Sequence, residues 1–184
     1  PALRPTALAH FGLDPQWPTV LVTGGSLGAL RLNDAFREAR AALAAAGVHA
    51  MIEKPLAQDS AAALNLAEAF ERAGLVGAVG HIERYNPALQ NLRSRLEQGD
   101  LGSVYQVVTR RQGPFPARIA DVGVVKDLAT HDIDLTAWVT QQNFASVSAR
   151  TAFKSGRQHE DLVAVVGQLT DGTVTSHLVN WLSP

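Results

Sequence analysis

The stretch DVGVVKDLATHDIDLTAWV, from Asp121 to Val139, decides the second half of the fold. Read as a helix after Gly123, it places Asp127 and His131 four residues apart on one face. Its apolar stripe comprises Leu128, Leu135 and Trp138. A carboxylate and an imidazole on one face can hold a substrate hydroxyl and move its proton near neutral pH. Spacing alone favours a simpler interpretation, a surface helix whose polar face includes a histidine.

Alternating apolar residues predict strands on both sides of this helix. The predicted strands are Val104 to Arg111, Ser146 to Phe153, Asp161 to Thr170 and Thr173 to Trp181. Asp171-Gly172 is predicted to join the last two strands as a two-residue hairpin turn. This half therefore predicts an α+β unit, an incomplete antiparallel sheet with one packed helix.

The first half alternates short apolar strands with helices. The predicted strands are Thr19 to Thr23, Val48 to Ile52 and Val76 to His81. Three helices are predicted: from Leu32 or Asn33 to Ala46, a second that ends near Ala73 with Asp59 or Ser60 as N-cap, and Pro87 to Gln98 with Asn86 as N-cap. A βαβαβα order predicts a parallel, truncated Rossmann-like sheet. The fold class is therefore α/β plus α+β, with an arm at 1–18, a nucleotide-binding unit at 19–102 and a substrate or oligomerisation domain at 103–184.

A glycine-rich turn follows the first predicted strand. Its candidate phosphate-binding residues are Gly24, Gly25, Ser26 and Gly28. Backbone N–H groups of such a turn can cradle a phosphate at the start of a helix. Against the G-x-G-x-x-G pattern, Gly25 and Gly28 fit but the first glycine falls on Thr23. Phosphate binding and a merely tight strand-to-helix turn explain the loop equally well.

Glu53 and Lys54 come directly after the second predicted strand. The carboxyl ends of parallel strands are where α/β sheets bind ligands, and an acid at this distance from the glycine loop can bind a ribose hydroxyl. A solvated Glu/Lys pair at the end of a strand is the alternative.

Composition excludes several classes of function. The 184 residues carry a net charge of −1 and no cysteine, and 46% of them are hydrophobic. We expect no nucleic-acid or membrane partner, because charges of both signs nearly balance and no long apolar run is present. The histidines show no metal-ligand spacing, so no metal is expected. Without a signal-peptide pattern, the expected location is cytoplasmic.

Three motifs carry a resemblance to a known family. They are EKPLA at 53–57, GHIERYNP at 80–87 and DLATHDID at 127–134. In this order, residues 47–184 resemble the glucose–fructose oxidoreductase/inositol dehydrogenase (Gfo/Idh/MocA) family of NAD(P)-dependent sugar oxidoreductases. The resemblance implies an NAD or NADP cofactor and a sugar or cyclitol substrate.

The resemblance also implies residue roles. Lys54 would contact the nicotinamide ribose and the substrate. Asp127 and His131 would hold the reacting hydroxyl, with His131 as general base. The substrate-binding residues near the sugar would be Glu83 and Asn86.

Residues 11–46 resemble a different family. The string TGGSLGA at 23–29, followed by Arg31-Leu32-Asn33, is similar to the UDP-binding half of the peptidoglycan N-acetylglucosaminyltransferase. That resemblance implies UDP or a UDP-sugar as a second possible ligand. The seam falls within 39–47, so the chain is interpreted as a chimera. One βα unit replaces the family's full mononucleotide-binding half, and the chain stops at Pro184 where the family's sheet would continue.

The sequence therefore predicts an oxidoreductase-like protein for a sugar or cyclitol hydroxyl, impaired by a replaced N-terminal cofactor half. Two alternatives stay open: a chimeric fold without catalytic activity, and a UDP- or diphosphate-binding module that uses the 24–28 loop. An open sheet edge would invite pairing with another copy, so a homo-oligomer is expected.

Overall fold

The computed structural model describes residues 4–10, 14–16, 19–22, 42, 45–57, 59–117, 119 and 122–184. The chain forms two compact units, Pro1–Gly80 and His81–Pro184. The predicted 24–28 loop and most of the helix predicted after it lie outside the described residues.

The first unit contains the predicted parallel sheet. Its described elements are α1 Arg4–His10, β1 Thr19–Val22, β2 His49–Glu53, α2 Ser60–Arg72 and β3 Gly77–Gly80. The strands lie in the order β1-β2-β3, all parallel. Asp59 caps α2 as predicted, because its side chain accepts a hydrogen bond from the Ala62 N–H at 2.8 Å. Helix α2 packs Leu66 and Phe70 against a small core that includes Ile52.

The second unit combines four described helical segments with a four-stranded sheet. Its helices are a 3₁₀ turn Ile82–Tyr85, α3 Pro87–Glu97, a π-helix Val125–Ala129 and α4 Thr130–Thr140. Its strands are β4 Gln106–Gln112, β5 Phe144–Ala152, β6 Leu162–Leu169 and β7 Val174–Asn180. Asn86 caps α3 and Pro87 occupies its first turn, as the sequence predicts.

The mixed α/β fold class is confirmed, but the sheet of the second unit is not purely antiparallel. Its order is β4-β7-β6-β5, and β4 pairs with β7 in parallel. The other two pairings are antiparallel. Residue alternation shows that a strand exists but not the direction of its partner. The helical connection after β4 brings the chain back so that β5 runs in the same direction as β4. The antiparallel pairs β5–β6 and β6–β7 then make β7 parallel to β4.

The β6–β7 hairpin exists, but its loop has three residues rather than the predicted two. The Leu169 N–H donates to the Thr173 carbonyl at 2.8 Å, so the loop is residues 170–172. Gly172 has a backbone φ of 93°, an angle that residues with a side chain rarely adopt. Glycine at the last loop position therefore favours the longer turn over the two-residue one.

One face of this sheet holds the core and the other lies open. The π-helix packs Ala129 and Leu128 against a buried cluster that also contains Val163, Val165, Val179 and Trp181. On the opposite face, Val108 and Val166 are exposed. The described helices include none that is long and apolar enough to cross a membrane.

Candidate functional site

The helix that carries Asp127 and His131 begins against Glu160. The Val124 N–H donates to the Glu160 carbonyl at 3.0 Å, and the Val125 N–H donates to the Glu160 Oε1 at 3.0 Å. These bonds satisfy N–H groups that a helix leaves without an internal partner. A Cβ placed on Gly123 would clash with the Glu160 carboxylate, so the glycine makes room for this cap.

Residues Val125–Ala129 form a π-helix, where the sequence predicts an ordinary α-helix. Asp127 lies in this π segment and His131 in the first turn of α4, and both are half-buried. The predicted α-helical spacing of Asp127 and His131 is therefore wrong in detail, because the chain between them includes the wider π-helical turn. Single π turns occur frequently at functional sites, so the local geometry supports a role for this segment.

Asp132, which follows His131, is held by Arg111 on β4. Its Oδ1 accepts from the Arg111 Nε at 3.1 Å and from Nη2 at 3.0 Å. The Nη2 group also donates to the Glu83 Oε1 at 2.9 Å. Burial alone would lower the pKa of Arg111, but the hydrogen bonds and charges of Asp132 and Glu83 outweigh it and raise that pKa. The guanidinium therefore stays charged and joins two carboxylates.

Asp134, three residues beyond His131 on α4, is held by Arg84 of the 3₁₀ turn. The Arg84 Nε donates to Oδ2 at 2.9 Å, and Nη2 donates to Oδ1 at 2.5 Å. The hydrogen bonds to Asp134 raise the pKa of Arg84 above its ordinary value. The His81 Nδ1 lies 3.5 Å from the Asp134 Oδ2. Bidentate pairing of this kind fixes orientation as well as distance.

Both arginines connect the 3₁₀ turn to α4. Arg84 joins the 3₁₀ turn to α4 directly, while Arg111 joins Glu83 of that turn to Asp132 of α4. Sequence reasoning did not assign roles to Arg84, Arg111 or Asp132. The only signal was position: Arg84 lies within the ERYNP string, and Asp132 lies beside His131.

The two predicted substrate-binding residues already have partners. Glu83 accepts from Arg111, and the Asn86 Oδ1 accepts the Ala88 N–H at 3.0 Å as the cap of α3. Their roles toward a sugar stay predictions.

In the first unit, Glu53 and Lys54 lie at the carboxyl end of β2, as predicted. A Cβ placed on Gly80, at the end of β3, would lie 2.9 Å from the Glu53 Oε2. The carboxylate therefore lies across the ends of two neighbouring parallel strands. Lys54 is half-buried, and its peptide bond to Pro55 is cis. The remaining predicted cofactor residues, Gly24, Gly25, Ser26 and Gly28, lie outside the described part of the chain.

The architecture combines a parallel α/β sheet in the first unit with a mixed sheet and packed helices in the second. A family model, the GFO/IDH/MocA C-terminal domain, matches residues 89–184. The chain belongs to the GFO/IDH/MocA family, as the three motifs predict.

The UDP-N-acetylglucosamine 3-dehydrogenase of Acidithiobacillus ferrooxidans is 35% identical over 131 residues, which cover 71% of this chain and 40% of that protein. A solved structure of that enzyme superimposes with a TM-score of 0.72 at 26% identity, covering 98% of this chain and 56% of the other. The WlbA dehydrogenase of Bordetella pertussis, solved with NADH and UDP-GlcNAcA, gives a TM-score of 0.76 at 22% identity, over 97% of this chain and 56% of that one. The chain spans about 40% of the length of the first curated relative.

A second, shorter similarity involves another enzyme. A UDP-N-acetylglucosamine–N-acetylmuramyl-(pentapeptide) pyrophosphoryl-undecaprenol N-acetylglucosamine transferase of a Nocardioides species is 60% identical over 50 residues, 27% of this chain and 14% of that protein. The predicted resemblance to two families is therefore confirmed.

Proposed function

We propose that the chain is an NAD(P)-dependent oxidoreductase-like protein that acts on a sugar or cyclitol hydroxyl. The observation that carries the proposal is the Val125–Thr140 helical segment, which lies inside the family match and presents Asp127 and His131 on a π-to-α junction. Two arginine–aspartate pairs fix this segment to its neighbours. Rigid support of this kind is what a proton-transferring group requires.

The described end of the parallel sheet fits the ribose of a nicotinamide dinucleotide. Glu53 offers carboxylate oxygens to ribose hydroxyls, and Lys54 offers a cationic donor beside them. Both residues lie at the carboxyl ends of parallel strands, the place where such sheets bind ligands. When bound, the nicotinamide supplies the acceptor for a hydride from the substrate carbon.

His131 and Asp127 are proposed to handle the proton of the substrate hydroxyl. An imidazole nitrogen of His131 takes the proton, while the carboxylate of Asp127 accepts a hydrogen bond and orients the hydroxyl. Glu83 and Asn86 would contact other hydroxyls of the sugar. The UDP-N-acetylglucosamine 3-dehydrogenase named above, and an inositol 2-dehydrogenase of Saccharopolyspora erythraea that is 30% identical over 118 residues, support a polyhydroxylated ring as the substrate.

Isothermal titration with NADH and with NADPH tests the cofactor part directly. The proposal expects weak binding of at least one, because the glycine loop at 24–28 fits the G-x-G-x-x-G pattern only in part. No binding of either at millimolar concentration would rule out a working oxidoreductase. A heat of binding with NADH but not with NADPH would show that the protein is specific for NADH.

A second candidate function is binding of UDP or a UDP-sugar through Gly24, Gly25, Ser26 and Gly28. The 50-residue similarity to the transferase favours it. Addition of UDP should shift the backbone amide NMR signals of these residues. Unchanged signals would rule out this second candidate. If neither nicotinamide cofactor binds either, the remaining candidate is a chimeric fold without ligand or turnover.

We further propose that the chain forms a homo-oligomer through its open sheet. Val108, Val166 and Val174 are exposed on the sheet face opposite to the helix. Sedimentation of the wild-type chain should show a dimer or a larger species. The Val166→Glu variant should sediment as a monomer, because it places a negative charge in the proposed interface. A wild-type monomer at high concentration would contradict this.

A further inference from the structure

One face of α4 carries two buried polar atoms that need partners. Asp132 and Thr136 lie four residues apart and therefore on the same helix face. Both are buried, with 3% and 2% of their surface exposed. The Asp132 Oδ2 and the Thr136 Oγ1 have no hydrogen-bond partner among the described residues. The other Asp132 oxygen is the one that Arg111 holds.

A matching pair lies on β7. Thr175 and His177 are two residues apart and share the inward face of the strand, with 0% and 1% exposed. Within the described part of the chain, the Thr175 Oγ1 and the His177 Nε2 also lack partners. Asp132 is bonded to Arg111 on β4, which pairs with Val179 on β7, two residues from His177. The helix pair and the strand pair are therefore close in space.

The other nitrogen of His177 indicates where its proton is. The His177 Nδ1 lies 2.8 Å from the Thr109 Oγ1 on β4. Burial lowers the pKa of His177 although the nearby Asp132 carboxylate opposes this, so the ring is neutral near pH 7. If the Thr109 hydroxyl donates to Nδ1, the ring proton is on Nε2. The charged groups near this ring are Asp132 on α4 and its partner Arg111 on β4.

A glycine on the neighbouring strand makes room for the Thr175 hydroxyl. Gly167 on β6 pairs with Thr175 on β7. A Cβ on Gly167 would lie 2.8 Å from the Thr175 Oγ1 and 3.0 Å from the Ser146 carbonyl oxygen. A side chain at residue 167 would therefore displace this hydroxyl.

We propose that α4 and β7 enclose a hydration site, in which one or more ordered water molecules bridge the Asp132 carboxylate to the Nε2–H of His177 and to the Thr136 and Thr175 hydroxyls. A water makes two to four hydrogen bonds, and buried waters typically bind polar groups that the protein leaves unpaired. Asp132 then has Arg111 on one oxygen and water on the other. The site connects α4 to the middle strands of the sheet. It is independent of the proposed function.

A high-resolution crystal structure of the chain tests the proposal. The expected result is electron density for at least one water within hydrogen-bond distance of two of the four atoms. Density that shows the four atoms paired directly with protein groups, or a gap without density, would overturn it. The Gly167→Ala variant should lose the water nearest to Thr175, whereas Gly113→Ala, where an added Cβ meets no atom within 4 Å, should keep it.

Histidine NMR gives a second readout that needs no variant. The ¹⁵N shifts of His177 should show a neutral ring with its proton on Nε2 from mildly acidic to alkaline pH. A cationic ring at neutral pH, or a proton on Nδ1, would contradict the proposed bridge.

Discussion

Arg111 donates two hydrogen bonds to one carboxylate oxygen of Asp132, from Nε at 3.1 Å and from Nη2 at 3.0 Å. Asp132 follows His131 directly, so this pair fixes the backbone on which the proposed general base is carried. The Asp132 side chain is almost fully buried, whereas about a third of the Arg111 side chain, 34%, reaches solvent. Removal of the arginine would leave a buried charge with one partner fewer.

We expect Arg111→Met to lower the free energy of unfolding by about 3 kcal/mol, because breaking a buried ion pair leaves its carboxylate uncompensated. Urea unfolding measures this loss. Arg110→Met is the matched control, since Arg110 is the exposed neighbour on the same strand. It should change stability by less than about 0.5 kcal/mol. Adding Asp132→Asn to Arg111→Met should recover part of the loss, and equal losses from both single arginine variants would contradict the account.

The second arginine pair should contribute less. Arg84 is partly exposed, so solvent screens its pairing with Asp134. We expect Arg84→Met to cost about 1 kcal/mol in thermal or urea unfolding. The control is Arg95→Met, because Arg95 forms a more exposed ion pair. The Arg95 Nε lies 3.5 Å from the Asp100 Oδ2, and both side chains are about half exposed. That variant should be nearly neutral, and a larger effect at Arg95 than at Arg84 would refute the assignment.

Gly123→Ala should disturb the start of the π-helix. The added methyl group would overlap the Glu160 carboxylate that caps Val125. Overpacking of this kind typically costs about 1–3 kcal/mol. Hydrogen exchange at the Val125 amide should become faster along with the loss of stability. Gly113→Ala, which has open space around it, provides the control, and an unchanged Val125 amide in Gly123→Ala would show that the cap is not tight.

His177 should make stability depend on pH. Burial lowers its pKa in the folded protein below the ordinary value of 6.5. The unfolded chain therefore takes up the proton first as the pH falls, so the contribution is complete above 6.5 and decreases toward the lower folded pKa. In the wild type, the free energy of unfolding should decrease as the pH is lowered through this range. His177→Asn should remove this part of the slope, and an identical slope in both proteins would contradict the assignment.

Much of the fold could be predicted because local signals coincide with the structure. Asp59 and Asn86 cap the helices that begin beside them, and apolar runs mark the three parallel strands. The motif at 127–134 identified the family that the family model then matched. These features depend on neighbours in sequence, which one sequence displays.

Features that depend on distant neighbours could not be predicted. The parallel pairing of β4 with β7 joins residues about seventy positions apart, such as Thr109 and His177. The hydrogen bond from Arg111 to Glu83 joins residues 28 positions apart, and nothing in the alternation of β4 distinguishes Arg111 from Arg110. The π-helix also has no sequence signature, because Val125–Ala129 suits an α-helix equally well.

The most direct test of the central claim is hydride transfer measured as formation of reduced nicotinamide. The wild-type chain, with NAD⁺ or NADP⁺ and UDP-N-acetylglucosamine or inositol, should show slow but measurable turnover. His131→Asn should lower kcat by roughly 100-fold or more, as expected for loss of a general base. His159→Asn, a histidine outside the proposed site, should retain the wild-type rate. Turnover that persists unchanged in His131→Asn, or no reduction of either cofactor by the wild-type chain, would contradict the account.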